Sequence, residues 1–205
     1  MKKLSIVLIG CMLALSAQEA LAQPPTQAPP PTAPGTPPPP ASAPKQARPR
    51  AGRYGSISGS WLMPTGDFEN VAGDGWAITL EGYQFIHPKA AFGSQAGYQS
   101  FGEKNGVQVS NFPVDAVLKF YPKPGTGKID LYLTGGIGFN YHRTEVGNSS
   151  VTDYYFGTQA GAGLELHTNG PVSVLVDGVY HWIFSDGIDT DFIALRGGLA
   201  IPLTR

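Results

Sequence analysis

Two rows of side chains alternate along residues 129–142, which read IDLYLTGGIGFNYH. The odd-numbered row holds mostly large apolar residues, and the even-numbered row holds small or polar ones. Successive side chains of a β-strand point to opposite faces. The alternation therefore predicts a strand with one apolar face and one small or polar face.

The same alternation recurs from Tyr54 to the end of the chain. Together with residues 129–142 it gives eight segments: 54–63, 76–87, 90–101, 111–121, 129–142, 153–167, 172–184 and 191–204. Polar loops, one of which spans 143–152, alternate with mostly tighter turns between these segments. The sequence predicts an all-β, eight-stranded antiparallel up-and-down fold. Pro113 has no N–H to donate, so we expect a bulge or a late strand start there.

The N-terminal part of the sequence has a different composition. Residues 1–22 combine a basic start, an apolar run and the small residues Ala20-Leu21-Ala22, a pattern typical of a secretory signal peptide. An alternative is lipid attachment at Cys11, the single cysteine. Residues 23–53 hold most of the 19 prolines and little apolar surface to bury, which predicts a disordered periplasmic linker. Residues 54–205 then form the barrel domain.

Composition excludes several classes of protein. The 14 basic and 15 acidic residues nearly cancel, which argues against a nucleic-acid partner. After the N-terminus no apolar run is long enough for a membrane-spanning helix. The barrel segments contain no cysteine, so they offer no thiolate metal site and no thiol nucleophile.

Two opposite designs fit alternating strands. A soluble barrel turns the apolar row inward, around a core or an apolar ligand, whereas an outer-membrane barrel turns it outward to lipid. Apart from Asp191, the first residue of the last segment, the apolar rows of the five clearest segments contain no charged residue, and the opposite rows are rich in glycine and small polar residues. These features favour a transmembrane barrel. A soluble periplasmic barrel that binds an apolar ligand is the alternative.

Aromatic residues lie near the ends of the segments, as expected for girdles at the two membrane interfaces. The predicted girdle residues are Trp61, Trp76, Tyr141 and Trp182 towards the loops, and Phe85, Phe120 and Tyr121 towards the turns.

With these features the chain resembles the outer-membrane β-barrel family of small eight-stranded proteins, the OmpA/OmpX-type barrels, over residues 54–205. Its last segment is similar to the family's assembly signal through Arg196, Gly198, Ile201 and Leu203, although it does not end in the usual aromatic residue. The resemblance implies the outer membrane of a Gram-negative bacterium, reached by signal-peptide export. It also implies outer-membrane lipid and lipopolysaccharide as surroundings, the barrel assembly machinery as a partner, and a monomer.

Eight strands enclose a lumen that side chains fill, so we expect no wide pore. The inward rows carry charged residues that are costly to bury unless paired. We expect them to form a network of salt bridges that plugs the barrel: Glu81, Asp115, Lys119, Asp130, Glu165, Asp177 and Arg196. A symmetric turn after the fourth segment would set Lys119 opposite Asp130, and a symmetric last loop would bring Arg196 diagonally near Asp177.

The strongest candidates for catalysis or metal binding are His142, Asp153 and His181, inward residues near the loop end. No serine on those rows has the spacing of a hydrolase, and no motif resembles those of the lipid A deacylase or palmitoyltransferase barrels. We therefore expect no enzyme activity, no cofactor and no metal, and a structural or surface-interaction role. A barrel enzyme that acts on outer-membrane lipid is the remaining alternative.

Overall fold

A computed structural model describes residues 52–124, 127–147, 149–185 and 190–203. The predicted signal peptide (1–22), Cys11 and nearly all of the predicted linker (23–53) lie outside the described residues.

Eight antiparallel strands close into one barrel, in which each strand pairs with its neighbours in the sequence and β1 pairs with β8. Their bounds are β1 Arg53–Thr65, β2 Gly73–His87, β3 Ala90–Gly102, β4 Val107–Phe120, β5 Ile129–Val146, β6 Ser149–His167, β7 Ser173–Phe184 and β8 Thr190–Pro202. A short 3₁₀ helix, Gly66–Asn70, follows β1. Within the described ranges, no helix has the length and apolar character needed to cross a membrane. The predicted eight-stranded up-and-down barrel is confirmed.

The apolar rows face outward and the polar rows face inward. On β5 the side chain of Ile137 is 57% exposed and that of Phe139 is 65% exposed, whereas Thr134 and Asn140 on the opposite row are buried. A soluble barrel would turn Ile137 and Phe139 away from the solvent. The alternative of a soluble barrel around an apolar ligand is therefore contradicted, and the exposed apolar band requires lipid.

Four of the predicted girdle residues are exposed on the outer wall: Trp61, Trp76, Phe120 and Tyr141. Trp61 lies opposite Trp76 in the ladder between β1 and β2. Trp182 is half-buried on the same outer surface, 4.3 Å from Tyr180 between ring centroids.

The prediction that Phe85 and Tyr121 belong to a girdle was wrong. Phe85 packs against residues inside the barrel, and Tyr121 is fully buried there. The physical reason is the alternation itself. Phe85 is two residues from the inward Tyr83, and Tyr121 is two residues from the inward Lys119.

The predicted loop 143–152 is mostly strand. β5 and β6 continue to pair as far as Val146 and Ser149, which makes this hairpin taller than its neighbours. The last described pair between β6 and β7 is Phe156 with Phe184, so the hairpin extends beyond the described part of β7.

Pro113 causes neither a bulge nor a late start. β4 begins at Val107 and its pairing with β3 keeps one register on both sides of the proline. Two pairs are missing from the ladder next to Pro113. The pairs that flank this gap are Ala96–Val114 and Gln99–Asn111. This gap fits a residue that has no N–H to donate.

Candidate functional site

The barrel lumen is filled at three levels. A cluster of apolar side chains closes the loop end, a polar network occupies the middle, and aromatic and acidic residues occupy the turn end. We name these the loop-end plug, the central network and the turn-end cluster.

The loop-end plug forms from apolar residues on the inner rows and from Phe68 and Ala72 of the connection between β1 and β2. Its buried members are Leu62, Phe68, Ala72, Ala77, Phe101, Val109, Ile183, Phe192 and Ala194. The Phe68 and Phe101 rings meet edge to face at 4.9 Å, and Phe101 meets Phe192 in the same way at 5.2 Å. The loop after β1 thus places a side chain in the mouth of the barrel.

Arg196 is at the centre of the central network. Its Nε donates to Asp177 Oδ1 at 2.6 Å and its Nη2 donates to Asp177 Oδ2 at 3.0 Å. The Tyr132 hydroxyl donates to the same Oδ2 at 2.5 Å. Arg196 lies directly opposite Asp177 in the β7–β8 ladder, rather than diagonally as the symmetric loop predicted. Direct opposition permits the bidentate geometry that makes such pairs strong.

Asp115 is held by neutral amides instead of a cation. Gln95 Nε2 donates to Asp115 Oδ2 at 2.8 Å, and Gln159 Nε2 donates to the same oxygen at 3.2 Å. Arg196 Nη1 donates to Gln95 Oε1 at 3.2 Å. Gln95 therefore links the Asp115 carboxylate to the Arg196 guanidinium.

Lys119 pairs with Glu81 on β2, with 2.8 Å between Nζ and Oε2. The predicted contact between Lys119 and Asp130 was wrong, because Lys119 lies opposite Thr134 in the β4–β5 ladder. The ammonium group lies over the Tyr83 ring, 4.4 Å from its centroid. The Glu81 carboxylate and the face of the Tyr83 ring therefore both stabilise the buried ammonium group.

Asp130 and Glu165 lie opposite each other on β5 and β6 within the turn-end cluster. Both side chains are buried, and two carboxylates in direct opposition repel each other. His167 connects them: its Nε2 lies 2.6 Å from Asp130 Oδ2, and its Nδ1 lies 3.7 Å from Glu165 Oε1. The Tyr121 hydroxyl donates to Glu165 Oε2 at 3.1 Å.

The rest of the turn-end cluster is aromatic and aliphatic. Tyr121, Tyr132, Leu175 and Ala200 are buried together, and Phe85 packs against them. The Tyr121 ring centroid lies 5.4 Å from that of Phe85 and 5.6 Å from that of Tyr132. The two residues that were assigned to a girdle thus help to close the turn end.

The loop-end candidates for a metal or catalytic site do not come together as one site. His142 is opposite Asp153 in the β5–β6 ladder, but Asp153 is exposed. His181 is buried below them, with its ring stacked on Phe192 at 4.5 Å. In the part of the chain that the structure describes, no three His, Cys, Asp or Glu side chains gather as metal ligands.

A serine, a histidine and an aspartate occur in series at the turn end, which the sequence did not reveal. Ser173 Oγ lies 3.1 Å from His167 Nδ1, and His167 Nε2 lies 2.6 Å from Asp130. Hydrolases use this order of groups to activate a nucleophile. Ser173, however, is buried on the inner wall, away from the surrounding lipid. We interpret the series as part of the closure of the lumen.

Comparison with solved structures gives the same fold. Neisserial surface protein A (NspA) has a TM-score of 0.65 at 12% identity, with 75% of this chain and 98% of that chain covered. OprG from Pseudomonas aeruginosa has a TM-score of 0.51 at 14% identity, with 74% and 96% covered. A major outer membrane protein from Thermus thermophilus has a TM-score of 0.51 at 9% identity, with 73% and 98% covered. No curated protein sequence matches the chain significantly.

A family model extends this result from fold to family. The model of the outer membrane protein beta-barrel domain matches residues 36–199, well over half of the chain. It agrees with the closed eight-stranded sheet and with the outward apolar band described above. The chain therefore belongs to the family of outer membrane proteins with a β-barrel domain.

Proposed function

We propose that this integral outer-membrane barrel has a structural and surface-interaction role and that its lumen conducts no solute. One observation carries the proposal: the loop-end plug, the central network and the turn-end cluster fill the lumen at successive depths. Eight strands leave an interior that side chains fill, and here large ones do so. A channel would require all three levels to move aside.

The surface role is proposed for the β5–β6 hairpin at the loop end. Val151 and Tyr154 are exposed at this tall hairpin, and an ion pair between Arg143 and Glu145 lies on the same hairpin. Exposed apolar side chains on a projecting element are typical of contact surfaces. A partner at the cell surface would meet this hairpin first.

Planar-bilayer recording tests the sealed lumen. We expect no conductance steps from the wild-type barrel. A variant that removes one ring from the loop-end plug and the central cation, Phe101→Ala with Arg196→Ala, should show transient small steps. Phe112→Ala is the matched control, because Phe112 is on the outward row of β4. Steady conductance by the wild type would contradict the proposal.

The remaining assignments are proposals that rest on family membership. The barrel assembly machinery would recognise the last strand, in which Ile201 and Leu203 are exposed on the outer wall and Arg196 points inward. Outer-membrane lipid and lipopolysaccharide would surround the apolar band, and the chain would act as a monomer. Crosslinking in whole cells, with a photoreactive residue at position 201 or 203, would test contact with the machinery.

We propose no enzymatic role. Of the candidate groups, only the Ser173 series has a catalytic order, and its hydroxyl faces the filled lumen. Incubation of the refolded protein with lipopolysaccharide and phospholipid, followed by mass spectrometry of the acyl chains, tests this. We expect unchanged acyl chains.

A further inference from the structure

A shallow groove crosses the lipid-facing wall from β8 and β1 as far as β6. It consists of two adjoining hollows, with volumes of about 660 and 640 Å³, which share Gly82, Ser94 and Val114 in their linings. Glycine, serine and alanine form its floor: Gly55, Gly82, Ser94, Ala96 and Ala116. Large apolar side chains such as Ile57, Leu80 and Phe92 form its sides. The groove is therefore a recess in an otherwise bulky apolar band.

The end of the groove nearest the turns is basic. Arg53 lines one of the hollows, and Lys89 lies in the turn between β2 and β3. Lys123 and Lys128 extend the series across the β4–β5 connection, so the basic residues form an arc over β1–β5. All four are exposed.

No exposed carboxylate offsets this arc among the described turn-end residues. The acidic residues at this end are Asp130 and Glu165, and both are buried inside the lumen. The salt bridges of the described residues do not use Lys89, Lys123 or Lys128. The described residues of this surface therefore carry a net positive charge beside an apolar recess.

We propose that the groove and the basic arc together bind one anionic phospholipid of the surrounding membrane. An acyl chain would fill the recess, because apolar surface in lipid gains contact when a gap is filled. The phosphate-containing headgroup would lie at the level of Arg53 and Lys89, where basic residues at a membrane surface attract anionic lipid. The inference rests on the membrane location that the family shows, and it does not depend on whether the lumen conducts.

Gly82 and Gly59 allow a matched test of the groove. Both are exposed on outward rows, and a Cβ added at either would meet nothing within 4 Å. Gly82 lines the groove, whereas Gly59 does not line either hollow. Gly82→Leu would fill the recess without a backbone clash, and Gly59→Leu would add the same side chain elsewhere on the wall.

The headgroup site is tested with Arg53→Gln combined with Lys89→Gln. Lys104→Gln is the control, because Lys104 is exposed at the opposite, loop end of the barrel. The full chain is reconstituted in nanodiscs of phosphatidylcholine with a minority of phosphatidylglycerol. Native mass spectrometry then counts the phospholipid retained by each released barrel, and gel migration before and after boiling verifies folding.

The expected results separate the two parts of the site. The wild type should retain phosphatidylglycerol about five-fold or more over phosphatidylcholine. This ratio is the attraction that about one basic residue exerts on an anionic headgroup. The arginine–lysine variant should lose this preference. Gly82→Leu should lower retention of both lipids about five-fold, while Gly59→Leu and Lys104→Gln behave as the wild type.

Three results would overturn the proposal. Equal retention of the two lipids by the wild type would exclude an anionic headgroup site. Equal retention by Gly82→Leu and Gly59→Leu would exclude the groove. A wild-type dimer that Gly82→Leu disrupts, with lipid retention unchanged, would assign the groove to contact between two copies of the chain.

Discussion

Replacement of Arg196 by methionine should destabilise the barrel by about 3–5 kcal/mol. The substitution removes two hydrogen bonds to Asp177 and one to Gln95, and it leaves the Tyr132 hydroxyl as the side-chain donor to the buried Asp177 carboxylate. Breaking a buried ion pair on one side typically costs this much, because an uncompensated charge stays in place. A loss of this size corresponds to a change of about 10²- to 10⁴-fold in the unfolding equilibrium constant.

The double variant Arg196→Met with Asp177→Asn distinguishes charge compensation from packing. The asparagine amide oxygen still accepts from Tyr132, but no unpaired charge remains. We expect the double variant to cost about 2 kcal/mol less than the sum of the two single variants. Urea titration in phospholipid vesicles, followed by the fluorescence of the three tryptophans, measures each unfolding free energy. Additive single effects, or a loss below about 0.5 kcal/mol for Arg196→Met, would refute the reasoning.

Further variants test the outer wall and the turn-end cluster. Ile137→Arg, on the lipid-facing row, should lower the unfolding free energy by about 2–4 kcal/mol in vesicles, and an effect near zero would place this row outside the bilayer. His167→Ala removes the ring between two buried carboxylates and should cost about 1–3 kcal/mol at neutral pH, measured in the same urea titration. Gly163→Val should disrupt the central network, since even a Cβ at this position would come within 2.7 Å of the Tyr132 ring; near-UV circular dichroism should report the moved tyrosine. A serine-directed fluorophosphonate should leave Ser173 unlabelled in the folded barrel and in vesicles, and labelling would reopen the enzyme alternative.

Alternation was enough to predict the number of strands and their order, and the composition of the two rows predicted that the apolar face points outward. The prediction works because a strand has a fixed period of two, and because lipid disfavours charge on the row that faces it. The same rule, applied strictly, also predicts that Phe85 and Tyr121 point inward. Their assignment to a girdle followed their aromatic character instead. The structure shows that the position of a residue in the alternation determines whether its side chain points inward or outward.

Pairing inside the lumen could not be predicted from the rows. It depends on ladder register, and the long connection between β4 and β5 is not symmetric. Lys119 is therefore opposite Thr134 and reaches Glu81 on a strand that is not its neighbour. The loop-end plug was missed for a related reason: the side chain of Phe68 enters the lumen from a loop, where alternation has no meaning. Phe192, in contrast, is on an inward row, and its size at that position was a usable signal.

The buried charges also show why a list of ionisable residues does not define such a network. Of the seven that were predicted inside the barrel, five are acidic and two are basic, and all seven are buried. One-to-one salt bridges cannot satisfy this set. Asp115 is satisfied by two glutamine side chains, and Asp130 by a histidine. At Asp115 the glutamine amides take the place of a cation, because a buried carboxylate needs hydrogen bonds as much as an opposite charge. The glutamines are therefore as much a part of the closed lumen as Arg196.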